Sequence, residues 1–105
     1  MSLHKQEMPE TMYRASRFFR VLGNPTAYLI LRCLQSERKT PSELSTQLGI
    51  AISTISITLR HLREVDLVRY ETQGKSKQYW IKDSEVPKLL DTAEALATKM
   101  RRKRF

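Results

Sequence analysis

One cysteine, three glycines, one tryptophan and no long apolar run set the first limits on this 105-residue chain. A lone Cys33 rules out an internal disulfide framework and fits a reducing compartment. No uninterrupted apolar stretch approaches the roughly 18 residues that a membrane span needs. The first residues also lack the apolar core of a secretory signal. A cytoplasmic protein with no membrane partner is the expectation. Nothing in the chain pairs a nucleophile with a base, cradles a phosphate in glycines or brings two carboxylates into a dyad. The expectation is therefore no enzyme activity, no catalytic residues and no cofactor.

Acidic residues are also in short supply. Nineteen Lys and Arg face eleven Asp and Glu, leaving a formal charge of +8. An excess of that sign points to a polyanionic partner, but it is local. Lys99, Arg101, Arg102, Lys103 and Arg104 supply five of the eight charges, while residues 53–98 hold seven basic and seven acidic side chains. The other basic stretch runs from Arg69 to Lys82, where four cations face only Glu71. The apolar fraction of 40% suits one soluble domain with one modest core, so residues 1–105 read as a single unit.

The stretch from Ala51 to Glu64 organises the rest. As a helix it places Ile52, Ile55, Leu59 and Leu62 on one narrow face. Ser53, Ile57, Arg60, His61 and Glu64 take the opposite face, with Ser56 at its edge. Short hydroxyls let a backbone approach phosphates and base edges, and arginine reaches guanine O6 and N7 in bidentate fashion. An ordinary solvated helix has the same outline, so the neighbouring elements must decide.

Upstream, Thr40-Pro41-Ser42-Glu43 reads as a capping box, with Thr40 as cap, Pro41 at the first helical position and Glu43 reaching back. That short helix passes Leu44 and Leu48 and stops at Gly49, which is free to turn left-handed. Residues 40–64 are thus expected to form a helix-turn-helix. Downstream, Leu67–Thr72 alternates like a half-buried strand, Gln73-Gly74-Lys75-Ser76 turns, and Lys77–Lys82 returns. The hairpin 67–82 is a wing whose Arg69, Lys75 and Lys77 can touch a sugar-phosphate backbone. A solvated turn that happens to be basic is the plainer alternative.

Two further helices flank this unit. Pro9 suits a first helical position and Gly23 the residue just past the end. Between them Met12, Ala15, Phe19 and Leu22 recur at heptad-like spacing, with Met8 extending the series. Asn24 caps and Pro25 starts a second helix, with Leu29, Ile30, Cys33 and Leu34 on its buried face. Cys33 reads as a small buried apolar residue with a neutral thiol. From a cap at Ser84 the last helix carries a similar seam through Leu89, Ala93, Leu96 and Met100. Residues 9–22 and 84–102 are expected to form a homodimer interface, and 99–105 a basic tail. The fold class is then mainly α with a small β-hairpin, a winged helix-turn-helix.

This order of elements resembles the arsenic-repressor-like (ArsR) family of winged-helix transcriptional regulators over about residues 17 to 82. The resemblance rests on Val21-Leu22-Gly23-Asn24-Pro25-Thr26, Ser42-Glu43-Leu44 through Leu48-Gly49, Ser53-Thr54-Ile55-Ser56 with Leu59 and Leu62, Leu67-Val68, and Gly74 through Tyr79. It implies a dimeric repressor that binds double-stranded DNA through Ser53, Thr54, Ser56, Ile57, Arg60 and His61. The departures are Ala27 where the family often has Arg, Thr58 for a frequent His, Asp66 for a common Gly, and Ala51 for a hydroxyl cap. Asp tolerates left-handed geometry better than most residues, so that turn can survive.

Family sensors often carry a Cys-x-Cys pair where this chain has Thr40 and Ser42, or Asp and His pairs on the last helix. That helix here has Asp91 and Glu94 but no His. Soft metals need thiolates and zinc prefers nitrogen or sulfur. With His4, His61 and Cys33 scattered, no such metal site is expected, and regulation would come from an unknown small-molecule or protein effector, from the protein's own concentration, or not at all. Two other readings stay open: a less specific DNA-coating protein, and a winged helix used as a protein-interaction module.

Overall fold

The computed structural model describes residues 8–102. Lys103, Arg104 and Phe105 of the basic tail, and His4, lie outside the described residues. Five helices and one hairpin follow in the order α1 (Glu10–Leu22), α2 (Pro25–Leu34), α3 (Pro41–Leu48), α4 (Ile52–Glu64), β1 (Val68–Gln73), β2 (Ser76–Ile81) and α5 (Glu85–Arg102).

Local chemistry sets most of the boundaries. The Asn24 side chain accepts from the Ala27 amide at 3.1 Å, satisfying one of the free N–H groups that open α2. At α3 the Thr40 hydroxyl accepts from the Glu43 amide at 3.1 Å while the Glu43 carboxylate accepts from the Thr40 amide at 2.8 Å. This is the reciprocal capping box that the sequence predicts. Gly49 ends α3 in the left-handed region, at φ 67°. Asp66 adopts the same φ of 67° between α4 and β1, the geometry for which the sequence offered Asp in place of glycine.

At two helix starts the capping differs from expectation, and at a third it is as the sequence implies. Pro9 is the N-cap of α1 instead of its first helical residue, in extended geometry at ψ 141°. Asp83, not Ser84, tends the start of α5: its carboxylate accepts from the Glu85 amide at 2.8 Å. Ala51 at the head of α4 makes no side-chain cap bond, as its methyl group dictates.

The core gathers Ile30, Leu31 and Leu34 of α2, Leu44 of α3, Ile55, Leu59 and Leu62 of α4, Val68 of β1, and Val86 and Leu90 of α5. Leu29, expected in it, is exposed, and Leu31, two residues on, is buried instead. Ile52 is 49% exposed, because as the first residue of α4 it lies a turn before the packed part of the helix begins. Thr58 is buried in its stead, and its hydroxyl donates to the Thr54 carbonyl at 2.8 Å, so no polar group is left unsatisfied.

The hairpin pairs Val68 with Ile81 and Tyr70 with Tyr79 in antiparallel register. Lys39, before α3, joins its outer edge through a two-way backbone bridge to Tyr79, at 3.1 and 2.8 Å. The wing is thereby fastened to the helix-turn-helix instead of hanging from its base. A second tie links α2 to α5: the Arg32 guanidinium meets Asp91 at 2.9 Å and Glu94 at 2.6 Å, and the Tyr28 hydroxyl donates to Glu94 at 2.5 Å. Arg32 and Tyr28 hydrogen-bond the Glu94 carboxylate, Tyr28 foremost, and hold its pKa below the usual value.

Candidate nucleic-acid interface

Helix α4 packs Ile55, Thr58, Leu59 and Leu62 inward, which leaves Ser53, Thr54, Ser56, Ile57, Arg60 and His61 exposed on the other side. All six side chains singled out in the sequence are therefore exposed, with Ser53, Ile57 and Arg60 opposite the core, Ser56 towards one flank and Thr54 and His61 towards the other. Ile57 is about half exposed, with nothing in the protomer to cover it. Arg60 has no hydrogen bond or ion pair among the described residues.

The wing stands beside this surface. Arg69, Lys75 and Lys77 are exposed, and Gly74, at φ 62°, turns the chain so that Lys75 sits at the tip. Glu71 would offset their charge, but it is engaged by Arg38 at 2.6 Å. The Arg38 guanidinium also lies 4.0 Å from the Trp80 ring centroid, bracing the outer side of the hairpin. On the inner side, Tyr70 receives Lys77 over its ring at 4.8 Å and Arg63 of α4 at 5.3 Å.

Arg63 escaped sequence reasoning because it lies off both faces of α4, and its aromatic partner belongs to another element. At the wing's base Lys82 and Asp66 form an ion pair, and the Lys82 hydrogen bond lowers the Asp66 pKa. Burial raises the Cys33 pKa, opposed only by the Lys39 charge, so its thiol stays neutral near pH 7.

The seam expected on the terminal helices is only partly free. Met12, Phe19, Leu96 and Met100 are each between 54% and 61% exposed, an unusual loss of apolar cover for side chains of that size. Ala93 is exposed as well, and Ala15 is half-buried. Leu22, expected on the seam, is 8% exposed and belongs to the protomer's own core, because the turn at Gly23 folds the end of α1 onto α2. Leu89 packs partly against the same core. Thr40 and Ser42 open α3, where the Thr40 hydroxyl is already engaged as a cap.

A helix-turn-helix followed by a basic hairpin defines a winged helix-turn-helix protein. Residues 22–71 match the family described as helix-turn-helix domain. Over 82 residues the chain is 30% identical to a "probable mercury resistance operon repressor" of Streptomyces lividans, a match spanning 78% of this chain and 66% of that protein. The fold is similar to the homodimeric winged helix-turn-helix DNA-binding domain Mb0332 of Mycobacterium bovis, with a TM-score of 0.81, 20% identity and coverage of 98% and 95% of the two chains. It also resembles an ArsR-like transcriptional regulator from a Rhodococcus species, with a TM-score of 0.69, 24% identity and 90% of each chain covered. The chain is thus similar, in sequence and in fold, to winged helix-turn-helix transcriptional regulators of the ArsR type.

Proposed function

We propose that this protein is a homodimeric, sequence-specific DNA-binding repressor that reads its operator through α4 and grips the flanking backbone through the wing. One observation carries the reading. The outward face of α4 presents Ser53, Ser56, Ile57, Arg60 and His61 together, all exposed, directly beside a hairpin bearing Lys75 and Lys77. Arg60 supplies the donors for a guanine edge, and Ile57 an apolar partner for a thymine methyl. Ser53, Thr54 and Ser56 are short enough to bring the helix close to phosphates, while Arg69, Lys75 and Lys77 add affinity without base preference.

The dimer is built from α1 and α5, whose exposed Met12, Phe19, Leu96 and Met100 gain cover from the same residues of a second copy. Ala15 and Ala93 allow the helices to approach, and Leu89 lies at the inner margin of the seam. Thr40 and Ser42 in place of thiolates leave no soft-metal pair at the start of α3, so the switch is assigned to an effector other than arsenite or zinc.

Selection of bound sequences from a random DNA pool, followed by a footprint, tests the whole reading. A symmetric repeat with half-sites about one helical turn apart is expected. Equal affinity for every sequence at fixed salt would favour a DNA-coating protein instead.

A further inference from the structure

Beyond α4 and the wing, the molecule has a third basic feature. A cleft of about 310 Å³ lies between α1, the start of α2 and the end of α4. Arg17 and Arg20 of α1 and His61 of α4 line it, with Asn24, Thr58 and Glu64. Arg17 and Arg20 are three residues apart and so project from one side of α1. Both are exposed, and among the described residues neither makes a hydrogen bond or an ion pair. Arg32, Arg38, Lys39, Lys82 and Lys88 each meet a carboxylate, whereas Arg17 and Arg20, like Arg60 and Lys75, meet none among the described residues. Arg17 and Arg20 are therefore available to an outside anion.

The position of the cleft says which anion. His61 and Arg63 are two residues apart on α4 and thus lie on nearly opposite flanks of the helix. Arg63 leans over Tyr70 of the wing, whereas His61 faces the cleft. The exposed face of α4, with Ile57 and Arg60, runs between the two. A duplex seated on that face meets the wing along one flank and the cleft along the other.

We infer that the cleft is a phosphodiester subsite, in which Arg17, Arg20 and His61 hold a backbone phosphate of the same duplex on the side of α4 away from the wing. This rests on the reading that α4 enters the major groove. The charge fits the group. The two arginines outnumber Glu64, leaving a net positive charge that complements the single negative charge of a phosphodiester. The contact carries no sequence information, but it fixes the angle at which α4 lies in the groove.

The test compares the wild-type protein with an Arg17→Ala/Arg20→Ala variant on operator and random duplexes across a salt series. The variant should weaken both duplexes by the same factor, and its log–log salt slope should be shallower by about one unit per bound protomer. Arg14→Ala serves as control, since Arg14 lines a different cleft with Asp66 and Lys82, and its slope should match the wild type. Operators carrying single neutral methylphosphonates give a measurement independent of how well the variant folds. Neutralising a phosphate on the side away from the wing should weaken the wild type and leave the double variant unaffected.

An unchanged slope in the double variant, with base preference still dependent on Arg60, overturns the subsite and leaves the reading of α4 standing. Loss of base preference from the wild type itself, or its indifference to Arg60→Ala, removes the reading of α4 on which the subsite depends. Equal flattening by Arg14→Ala reduces the effect to general basicity of α1 and overturns the subsite. Inorganic phosphate that shifts the His61 ring resonances of the free protein, with an unchanged DNA slope, identifies a free-anion site and overturns it too.

Discussion

The Arg63 guanidinium of α4 lies 5.3 Å from the centroid of the Tyr70 ring on β1, tying α4 to the wing. The same ring takes Lys77 at 4.8 Å and stacks against Tyr79 with centroids 5.2 Å apart. Tyr70 is thus the point at which helix and hairpin share an orientation. Tyr70→Leu keeps an apolar side chain but removes two cation–π contacts and one ring pair. A loss of about 1–2 kcal/mol is expected from their sum. Thermal melts should show it, along with weaker binding to all DNA sequences. A variant as stable as the wild type would remove Tyr70 from this role.

Arg60→Ala should cost specific binding about 1–3 kcal/mol and relax the preference at one base pair. Ile57→Ala should relax a different position, where a thymine methyl is lost as a partner. Competition binding against single-base operator variants separates the two effects. Unaltered affinity and preference in both variants would end the assignment of this face to base reading.

The two wing lysines should not be equivalent. Lys75 sits free at the tip, whereas Lys77 is drawn over Tyr70. Lys75→Ala should flatten the salt dependence by roughly one unit of slope, with equal effect on operator and random DNA. Lys77→Ala should flatten it less and lower stability as well. A sequence-selective loss in Lys75→Ala would mean that the tip reads bases.

Charged substitutions on the open seam should give folded monomers. Phe19→Asp and Leu96→Asp place a carboxylate among Met12, Met100 and their counterparts in a second copy, yet both sites are more than half exposed in the protomer. Sedimentation equilibrium at micromolar concentration should show a dimer for the wild type and monomers for the variants, with helical content retained. A wild-type monomer would refute the seam.

Glu94 and Asp66 both have folded-state pKa values below their ordinary ones, Glu94 through Tyr28 and Arg32 and Asp66 through Lys82. Each therefore adds stability that is present above its unfolded pKa and lost as pH falls through the folded one. Stability should decline on acidification through and below the usual carboxylate range. Glu94→Gln should be less stable than the wild type at pH 7, with the difference closing as pH falls. Parallel pH profiles for the two proteins would rule out this source.

Much of the local architecture was legible in the residues. The Thr40–Glu43 box, Gly49, Asn24-Pro25 and the left-handed Asp66 each act within a few residues, so spacing and residue type suffice to place them. The outward face of α4 was legible for the same reason, since helical periodicity alone sorts its two sides. Burial was harder to read. Ile52 lies in line with Ile55 and Leu59, but only the end of the packed region decides that it is exposed. Leu22 fits the stripe of Met12 and Phe19, yet the fold of α1 onto α2 takes it into the core.

By itself the sequence determined the elements, their order, the turn geometries and the chemistry offered by α4, because these depend on interactions between near neighbours in the chain. Tertiary structure decided what meets across the fold. It set Arg63 on Tyr70, bridged Lys39 to Tyr79, bound Arg32 to Asp91 and Glu94, and gathered Arg17 and Arg20 beside His61. Such contacts join residues far apart in the chain. Their partners are selected by how helices and hairpin pack, which no local spacing encodes.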